Sequence, residues 1–257
     1  MREAKGLRLE EAASLLDKTR SGLHRIESGT SKADVHFVRS AMDIYDQYDP
    51  DLVDLARDAA KPGWWRRYGL DDRGFVPMET EAATELELSL VHIPGLLQTE
   101  DYINALYANG MNALAGNRKG SAAPRLVRQR RLTDEESPIE LVAIIDESAL
   151  HKNIGGVDVM REQLRHLVRQ AGLPTVTLQV LPNSQGAHPG LEGEFLILGF
   201  QEDEDPDLLY FAYLTGAVHI EKPEELAKAK LAFEHLRSVA LSPSDSVGFI
   251  EEVEREL

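Results

Sequence analysis

Apolar side chains recur at helical spacing through the first sixty residues, and no strand-like alternation interrupts them. This pattern predicts four short helices. The first carries Leu9 and Leu16, the second is opened by Thr19 and carries Leu23 and Ile26, the third follows Asp34, and the fourth follows Asp49-Pro50. Pro62-Gly63 cannot continue the last helix. We therefore predict an all-α N-terminal domain over residues 1–62.

Strand patterns mixed with helices begin at about residue 76. "ELELSL" (85–90) alternates leucine with polar residues, which predicts a half-buried strand, and "IELVAIID" (139–146) predicts a strand covered on both faces. Four more strands are predicted in "TVTLQV", "FLILGF", "LLYFAYL" and, after a turn at Thr215-Gly216, "AVHI". Helices are predicted over 157–171, from Pro223 and from Ser242-Pro243. We predict a larger α/β domain with a mixed sheet over residues 76–257, joined to the first domain by a linker at 63–75.

Charge is unevenly distributed between these two parts. The formal net charge is −16, yet residues 1–32 hold seven basic residues against five acidic ones. Residues 63–257 hold 18 basic and 32 acidic residues, so most of the acidity lies in the second domain. That acidity favours solubility and keeps the second domain away from nucleic acid, while the start of the chain is locally cationic.

The cationic region has the pattern of a helix-turn-helix. Within residues 6–29, two short helices are separated by a break at Asp17-Lys18. Leu23 and Ile26 of the second helix would pack against the first helix through Ala13 and Leu16. The opposite face of the second helix would then project into the major groove of DNA, which is about 12 Å wide.

Polar and basic residues cluster where that second helix would enter the groove. Arg20 can read guanine in bidentate fashion, and Ser21 and His24 can contact phosphates or base edges. Thr19 can cap the helix, whose N-terminus itself favours a phosphate. Three further cations are assigned to phosphates, which position the protein without specifying sequence: Lys18, Arg25 and Lys32. These seven residues form the predicted interface with double-stranded DNA.

The same stretch resembles the Xre-type (Cro/lambda-repressor-like) helix-turn-helix. The matching positions are Gly6-Leu7, Glu10-Glu11, Ala13, Leu16, Ser21, Arg25-Ile26-Glu27 and Gly29. Four features depart from the family pattern. Arg8 stands where the family has Ser or Thr at the start of the first motif helix, and Leu9 stands where it has Gln. Asp17 replaces the turn glycine, and Gly22 lies inside the recognition helix. Only "MREAKG" remains of the helix that normally precedes the motif, so the given chain could start late relative to the family.

Three segments of the second domain resemble actinobacterial Xre-type regulators that carry a C-terminal domain of unknown function. They are "GWWRRYG" (63–69), "HIPGLLQTEDYINAL" (92–106) and "GAHPGLEGEFLIL" (186–198), and with the motif they extend the resemblance over essentially the whole chain. The resemblance implies an antitoxin-like transcriptional regulator, commonly encoded beside a small partner protein and linked to development or secondary metabolism. It supplies neither a ligand nor a reaction.

Several stretches of the second domain allow both a structural and a functional interpretation. Pro94-Gly95 and Thr99 in "PGLLQTEDY" form a turn and a helix cap, so architecture explains them better than a binding site does. Trp64-Trp65 favour packing between the domains over placing Arg66-Arg67 on DNA. The run "RKGSAAPRLVRQRR" (118–131) has six basic residues and no acidic one. It would pair with acidic residues as a solvated helix face, or contact phosphate or an acidic partner.

Catalytic and metal-binding patterns are missing from the sequence. The chain has no cysteine, no His-Glu-x-x-His spacing, no Gly-x-Ser-x-Gly elbow and no glycine-rich phosphate loop. We expect a non-enzymatic protein without cofactor or metal. The lack of an apolar run near 18 residues excludes a membrane span and, with the lack of a secretory signal, predicts a cytoplasmic protein that joins the nucleoid when bound to DNA.

Together these features predict a sequence-specific DNA-binding transcriptional regulator, a repressor, whose second domain dimerises and binds a partner protein or an effector. Helices in 223–257 offer a dimer surface, although their apolar stripe fits a core better. The first alternative is an interaction module that sequesters a small partner and binds DNA weakly. Another is a small-molecule receptor with a pocket between the strands and the loop at 183–193.

Overall fold

The computed structural model describes residues 1–70, 74–109, 122–201 and 206–257. The chain divides into two compact units, Met1–Arg67 and Tyr68–Leu257. The first unit contains the four predicted helices: α1 (Leu9–Leu15), α2 (Arg20–Glu27), α3 (Val35–Tyr45) and α4 (Pro50–Ala60). A 3₁₀ turn follows at Trp64–Tyr68.

Aspartate caps fix where α3 and α4 begin. The Asp34 carboxylate accepts a hydrogen bond from the Phe37 N–H at 2.8 Å. The Asp49 carboxylate accepts one from the Asp51 N–H at 3.0 Å, with Pro50 in the first helical turn. Each cap satisfies a backbone donor that has no partner within its own helix.

The core of the first unit joins α1 and α2 to α3. Its buried members are Ala12, Ala13, Leu16, Leu23, Ala41 and Tyr45. The predicted packing of Leu23 against α1 is confirmed, since Leu23 has no exposed surface. Ile26 is only half-buried, so its predicted contribution is smaller than that of Leu23.

The second unit is built on a six-stranded mixed sheet, as predicted. The strands are β1 (Thr84–Ser89), β2 (Glu140–Asp146), β3 (Val176–Leu181), β4 (Phe195–Gly199), β5 (Leu208–Tyr213) and β6 (Gly216–Ile220), in the order β3-β2-β1-β4-β5-β6. β1 pairs in parallel with β2, which pairs in parallel with β3. The pairings of β1 with β4, β4 with β5 and β5 with β6 are antiparallel.

Helices cover both faces of this sheet. They are α5 (Phe75–Glu81), α6 (Glu100–Asn109), α7 (Ala123–Gln129), α8 (Glu147–Leu150), α9 (Val157–Gln170), α10 (Pro223–Val239) and α11 (Pro243–Glu256). Three of these, α5, α7 and α8, are short and were not predicted from the apolar pattern. Ala143 and Ile145 of β2 face one cluster, and Ile144 faces the other, which confirms that β2 is covered on both sides.

The apolar stripe of residues 223–257 belongs mainly to the core. Phe233 and Leu236 of α10 pack on one face of the sheet, and Ile250 and Val253 of α11 join the core on the other. Leu257, the last position of that stripe, is 36% exposed. The core interpretation therefore explains this stripe without a dimer surface.

The prediction that β1 is half-buried is wrong. Leu86 and Leu88 pack on the α10 side, as their alternation predicts. However, Glu85 and Glu87 on the opposite face are also buried, with 1% and 9% of their surface exposed. β1 lies in the interior of the sheet, where helices cover the second face as well as the first.

Arginines of α7 and of the turn after it reach acidic residues and carbonyl groups of α5. The buried Arg128 guanidinium forms a bidentate ion pair with Glu79, and Arg131 donates to the Glu79 and Thr80 carbonyl oxygens at 2.8 Å. The predicted pairing of this basic run with acids is confirmed at Arg128, but its predicted solvation is wrong there. Residues 118–121 of the run lie outside the described residues.

The "PGLLQTEDY" segment serves the architecture, as its interpretation favoured. Thr99 Oγ1 accepts a hydrogen bond from the Tyr102 N–H at 3.3 Å and so caps α6. The buried Gln163 of α9 accepts from the Thr99 N–H and donates to the Leu97 carbonyl, each at 2.7 Å. These bonds fix the loop between β1 and α6.

Across the described ranges, no helix combines the length and apolarity needed to cross a membrane.

Replacing Phe233 by alanine tests the α10 packing. Phe233 has no exposed surface and its ring contacts Phe195 edge to face, with centroids 6.2 Å apart. We expect Phe233→Ala to lower the free energy of unfolding by about 3–5 kcal/mol, measured by urea denaturation followed by circular dichroism. Leu231→Ala, at a position of the same helix that is 74% exposed, should change it by less than about 0.5 kcal/mol. Equal losses in the two variants would contradict this packing.

Candidate nucleic-acid interface

A left-handed residue makes the tight turn between α1 and α2. Asp17 has φ of +50°, a conformation that aspartate adopts more readily than most non-glycine residues. The Lys18 N–H donates to the Ala13 carbonyl oxygen at 2.8 Å and closes the turn. The replacement of the usual turn glycine by Asp17 is thus accommodated by the backbone, and α2 is held against α1.

The start of α1 keeps half of a capping box. Arg8 occupies the N-cap position, where its side chain has no oxygen to accept a backbone hydrogen bond. Glu11 supplies the other half, because its Oε2 accepts from the Arg8 N–H at 2.9 Å. One of the two interactions that a Ser or Thr cap provides is therefore retained.

Thr19 begins α2 as predicted. Its Oγ1 accepts a hydrogen bond from the Gly22 N–H at 3.0 Å. A Cβ atom at position 22 would lie only 3.0 Å from this same oxygen. Gly22 therefore leaves room for the cap, which offsets part of the cost of about 1 kcal/mol that glycine carries within a helix.

The exposed arc of α2 carries four of the predicted DNA-binding residues. Successive residues of a helix are rotated by about 100°, so Arg20, Ser21, His24 and Arg25 fall within one arc of about 140°. All four are exposed, while Leu23 on the opposite side is fully buried. The structure thus brings these side chains together on the face that a major groove would meet.

Arg20 is held by an acidic residue that sequence reasoning did not identify as its partner. Its Nε lies 2.9 Å from Glu10 Oε1 of α1, and both side chains are about two-thirds exposed, at 68% and 65%. An exposed ion pair of this kind contributes at most about 1 kcal/mol. Arg20 can therefore leave Glu10 for a competing acceptor at low cost.

The other predicted residues differ in their surroundings. Lys32 Nζ donates to the Ala59 carbonyl oxygen at 2.9 Å, so it stabilises the end of α4, and Lys18 Nζ lies 5.9 Å from the centre of the Phe37 ring. Both lysines remain exposed. In the described part of the chain, the side chains of His24 and Arg25 form no hydrogen bond or ion pair, whereas Lys32 is already engaged.

Within the described ranges, no group of three His, Asp or Glu side chains is arranged to hold a metal ion. The exposed arc of α2 offers hydrogen-bond donors and positive charge, which suit DNA phosphates and the acceptor atoms of guanine edges.

Comparisons with known proteins agree with the division into two units. A family model described as a helix-turn-helix domain matches residues 1–56. A second model, described as a domain of unknown function (DUF5753), matches residues 72–252, more than half of the chain. The searches of curated proteins and of solved structures found no match.

Loss of the Thr19 cap should destabilise the first unit. Thr19→Ala removes the acceptor for the Gly22 N–H and is expected to cost about 1 kcal/mol, while Thr19→Ser keeps it. Urea unfolding followed by tryptophan fluorescence measures this, since both tryptophans, Trp64 and Trp65, belong to the first unit. If the serine variant lost as much stability as the alanine variant, the cap would not be the cause.

Proposed function

We propose that this chain is a sequence-specific transcriptional regulator of the Xre type. The chain belongs to the DUF5753 family and carries a helix-turn-helix domain ahead of the DUF5753 domain. The observation that supports the proposal is the exposed arc of α2, with Arg20, Ser21, His24 and Arg25 on one side and the buried Leu23 on the other. A helix anchored on one face and cationic on the other is suited to the major groove.

Within this proposal, the residues of α2 have different tasks. Arg20 reads guanine through two parallel hydrogen bonds, while Ser21 and His24 contact base edges or phosphates. Lys18 and Arg25 bind phosphates and set the position of the helix. Lys32 is given a smaller part than the sequence predicted, because its ammonium group already donates to the end of α4.

Glu10 lowers the affinity of the exposed arc of α2 for DNA in this proposal. Before binding, the Arg20 guanidinium is paired with the Glu10 carboxylate. To contact guanine, Arg20 must leave Glu10. Binding also brings the Glu10 carboxylate near the negatively charged DNA phosphates. Both effects weaken binding, so Glu10 lowers the affinity that Arg20 would otherwise provide.

The second domain is proposed to act by binding and not by catalysis. Its acidic composition would keep it off DNA, and we propose that it dimerises, which would favour an inverted-repeat operator with half-sites about one helical turn apart. The resemblance described above supports an antitoxin-like repressor of the cytoplasm, nucleoid-bound when on its operator, with a small partner protein encoded nearby.

A second candidate function is sequestration of that partner with weak DNA binding. The β5–β6 hairpin favours it, because β6 lies at the edge of the sheet and apolar side chains near it are exposed: Tyr213 58%, Leu214 76% and Val218 46%. A partner could add a strand to this edge. Two results together would favour this function over DNA binding. A partner would co-purify with the unaltered protein but not with the Val218→Lys variant, and the protein would not bind the operator.

Salt dependence tests the DNA-binding proposal directly. Affinity for the DNA upstream of the protein's own gene is measured between about 50 and 200 mM salt, with random DNA of equal length as the control. Each phosphate neutralised should add about −0.9 to the slope of log affinity against log salt. A slope near zero, or equal affinity for random DNA, would refute sequence-specific binding.

Two substitutions at the Arg20–Glu10 pair should have opposite effects. Arg20→Ala is expected to cost about 1–3 kcal/mol of specific binding and less of non-specific binding. Glu10→Gln should strengthen operator binding several-fold, because it releases Arg20 and removes a negative charge. Asp54→Asn is the matched control, since it removes an equally exposed carboxylate that pairs with Arg57 in the same unit. Comparable gains from Glu10→Gln and Asp54→Asn would show only a general charge effect.

A further inference from the structure

The second unit contains a cavity of about 190 Å³ on one face of its sheet. It lies against β1, β4 and β5, with α5, α7 and the loop between β1 and α6 around it. Its polar wall is formed by Glu85, Glu87, His92, Gln98, Arg125, Arg128 and Glu194. Its apolar wall includes Phe75, Leu196 and Tyr210.

Two carboxyl groups reach into this cavity from a buried strand. Glu85 is 1% exposed and Glu87 is 9% exposed, and neighbouring strands place apolar residues beside them. Leu141 and Leu198 flank Glu85 in the sheet register, while Ala143 and Leu196 flank Glu87. Burying carboxyl groups among such neighbours is costly unless they are hydrogen-bonded or paired with a cation.

Neither carboxyl group is fully satisfied by the chain itself. Glu85 Oε2 and Glu87 Oε2 are buried and have no hydrogen-bond partner within the described residues. The Nδ1 atom of His92, on the same cavity wall, is also buried without a partner there. Three such atoms around one cavity call for an explanation, and a bound polar ligand would supply one.

The nearby cations are already engaged. Arg128 forms its bidentate ion pair with Glu79 and lies over the Phe75 ring. The Arg125 guanidinium donates to Gln98 Oε1 at 2.6 Å and lies 5.2 Å from the centre of the Tyr107 ring. The cavity therefore has more carboxyl groups than unpaired positive charges to balance them.

The ionisation of the two glutamates reflects this imbalance. Burial, and after it the negative charges of Glu79 and Glu87, hold the pKa of Glu85 well above its usual range. Burial also raises the pKa of Glu87, although the His92 charge opposes the shift. A cation entering the cavity would favour the ionised carboxylates and release the protons that they hold.

The size and apolar wall of the cavity limit what can enter. A cavity of about 150 Å³ accommodates benzene, so 190 Å³ holds one ring with a short substituent. The Phe75 and Tyr210 rings, with centroids 4.6 Å apart, provide an aromatic surface for such a ring. The carboxyl groups would face the substituent.

We propose that this cavity is a ligand site for a small organic cation, a primary ammonium group carried on a single apolar ring, with Glu85 and Glu87 as its counter-ions. The site lies entirely within the second unit, so it does not depend on the proposed DNA-binding function. It is separate from the pocket that the sequence predicted beside the loop at 183–193, although Glu194 lies next to that loop.

Benzylamine is the probe for this site, tested on the full chain by isothermal titration calorimetry. We expect a dissociation constant of about 1 mM or lower at pH 7.5. Benzyl alcohol, which has the same shape without the charge, should bind at least about tenfold more weakly. Failure of benzylamine to bind, or equal binding of the two compounds, would overturn the proposal. Tighter binding of benzoate than of benzylamine would do so too, and would assign the cavity to an anion on Arg125.

Glutamine substitutions locate the binding in this cavity. Glu85→Gln/Glu87→Gln keeps the shape of both side chains and should weaken benzylamine binding at least about tenfold. Glu81→Gln, which removes one exposed carboxylate on α5, should leave it unchanged. Unchanged binding to the double variant would place the ligand elsewhere and refute the proposal. Circular dichroism of the double variant separates loss of the site from loss of the fold.

Proton release gives a test that needs no substitution. The charged or titratable groups around Glu85 and Glu87 are Glu79, Arg125, Arg128, His92, Glu194 and Tyr210. Because the pKa values of both glutamates are raised in the free protein, benzylamine should bind more tightly as pH rises from 5.5 to 7.5. At the lower pH the binding heat in buffers of different ionisation enthalpy should show net proton release. Tighter binding at the lower pH, or net proton uptake, would contradict the two glutamates as counter-ions.

Discussion

The buried position of β1 is the constraint on which much of the second unit depends. β1 pairs in parallel with β2 on one side and antiparallel with β4 on the other, so it joins the two halves of the mixed sheet. One of its faces carries leucines and the other carries Glu85 and Glu87. Because both faces are covered, the fold must bury carboxyl groups, and the Arg128–Glu79 pair and the polar cavity are arranged around them.

The first unit works under a different constraint, which is the small size of its core. Leu23 and the α1 alanines hold α2 in place, and the other side of α2 is exposed. Its charge pattern is local, since Arg20 and Arg25 stand on the exposed arc while Glu10 partly neutralises the first of them. An overall net charge of −16 therefore says little about this surface, because the side chains on α2 determine the potential that a ligand meets at contact distance.

The two proposals assign DNA binding to the first unit and ligand binding to the second. The helix-turn-helix offers a cationic arc, and the DUF5753 domain offers a cavity lined by acidic groups. Ligand binding at the cavity would act on the arrangement of α5, α7 and β1, since residues of all three line it. Regulation of DNA binding by such a ligand needs differential affinity for two states of the protein.

The sequence by itself determined the helices of the first unit, the caps at Thr19 and Asp34, and all six strands, because these follow from periodicity and turn chemistry over short distances. It also identified the exposed residues of α2. Only the tertiary structure decided that Glu10 pairs with Arg20, that Lys32 donates to the end of α4, and that Glu85 and Glu87 are buried. The alternation "ELELSL" is the same whether its acidic face meets water or a helix. Which of the two covers it depends on α5, α7 and the loop between β1 and α6, which line the cavity beside Glu85 and Glu87, and no local pattern reports such contacts.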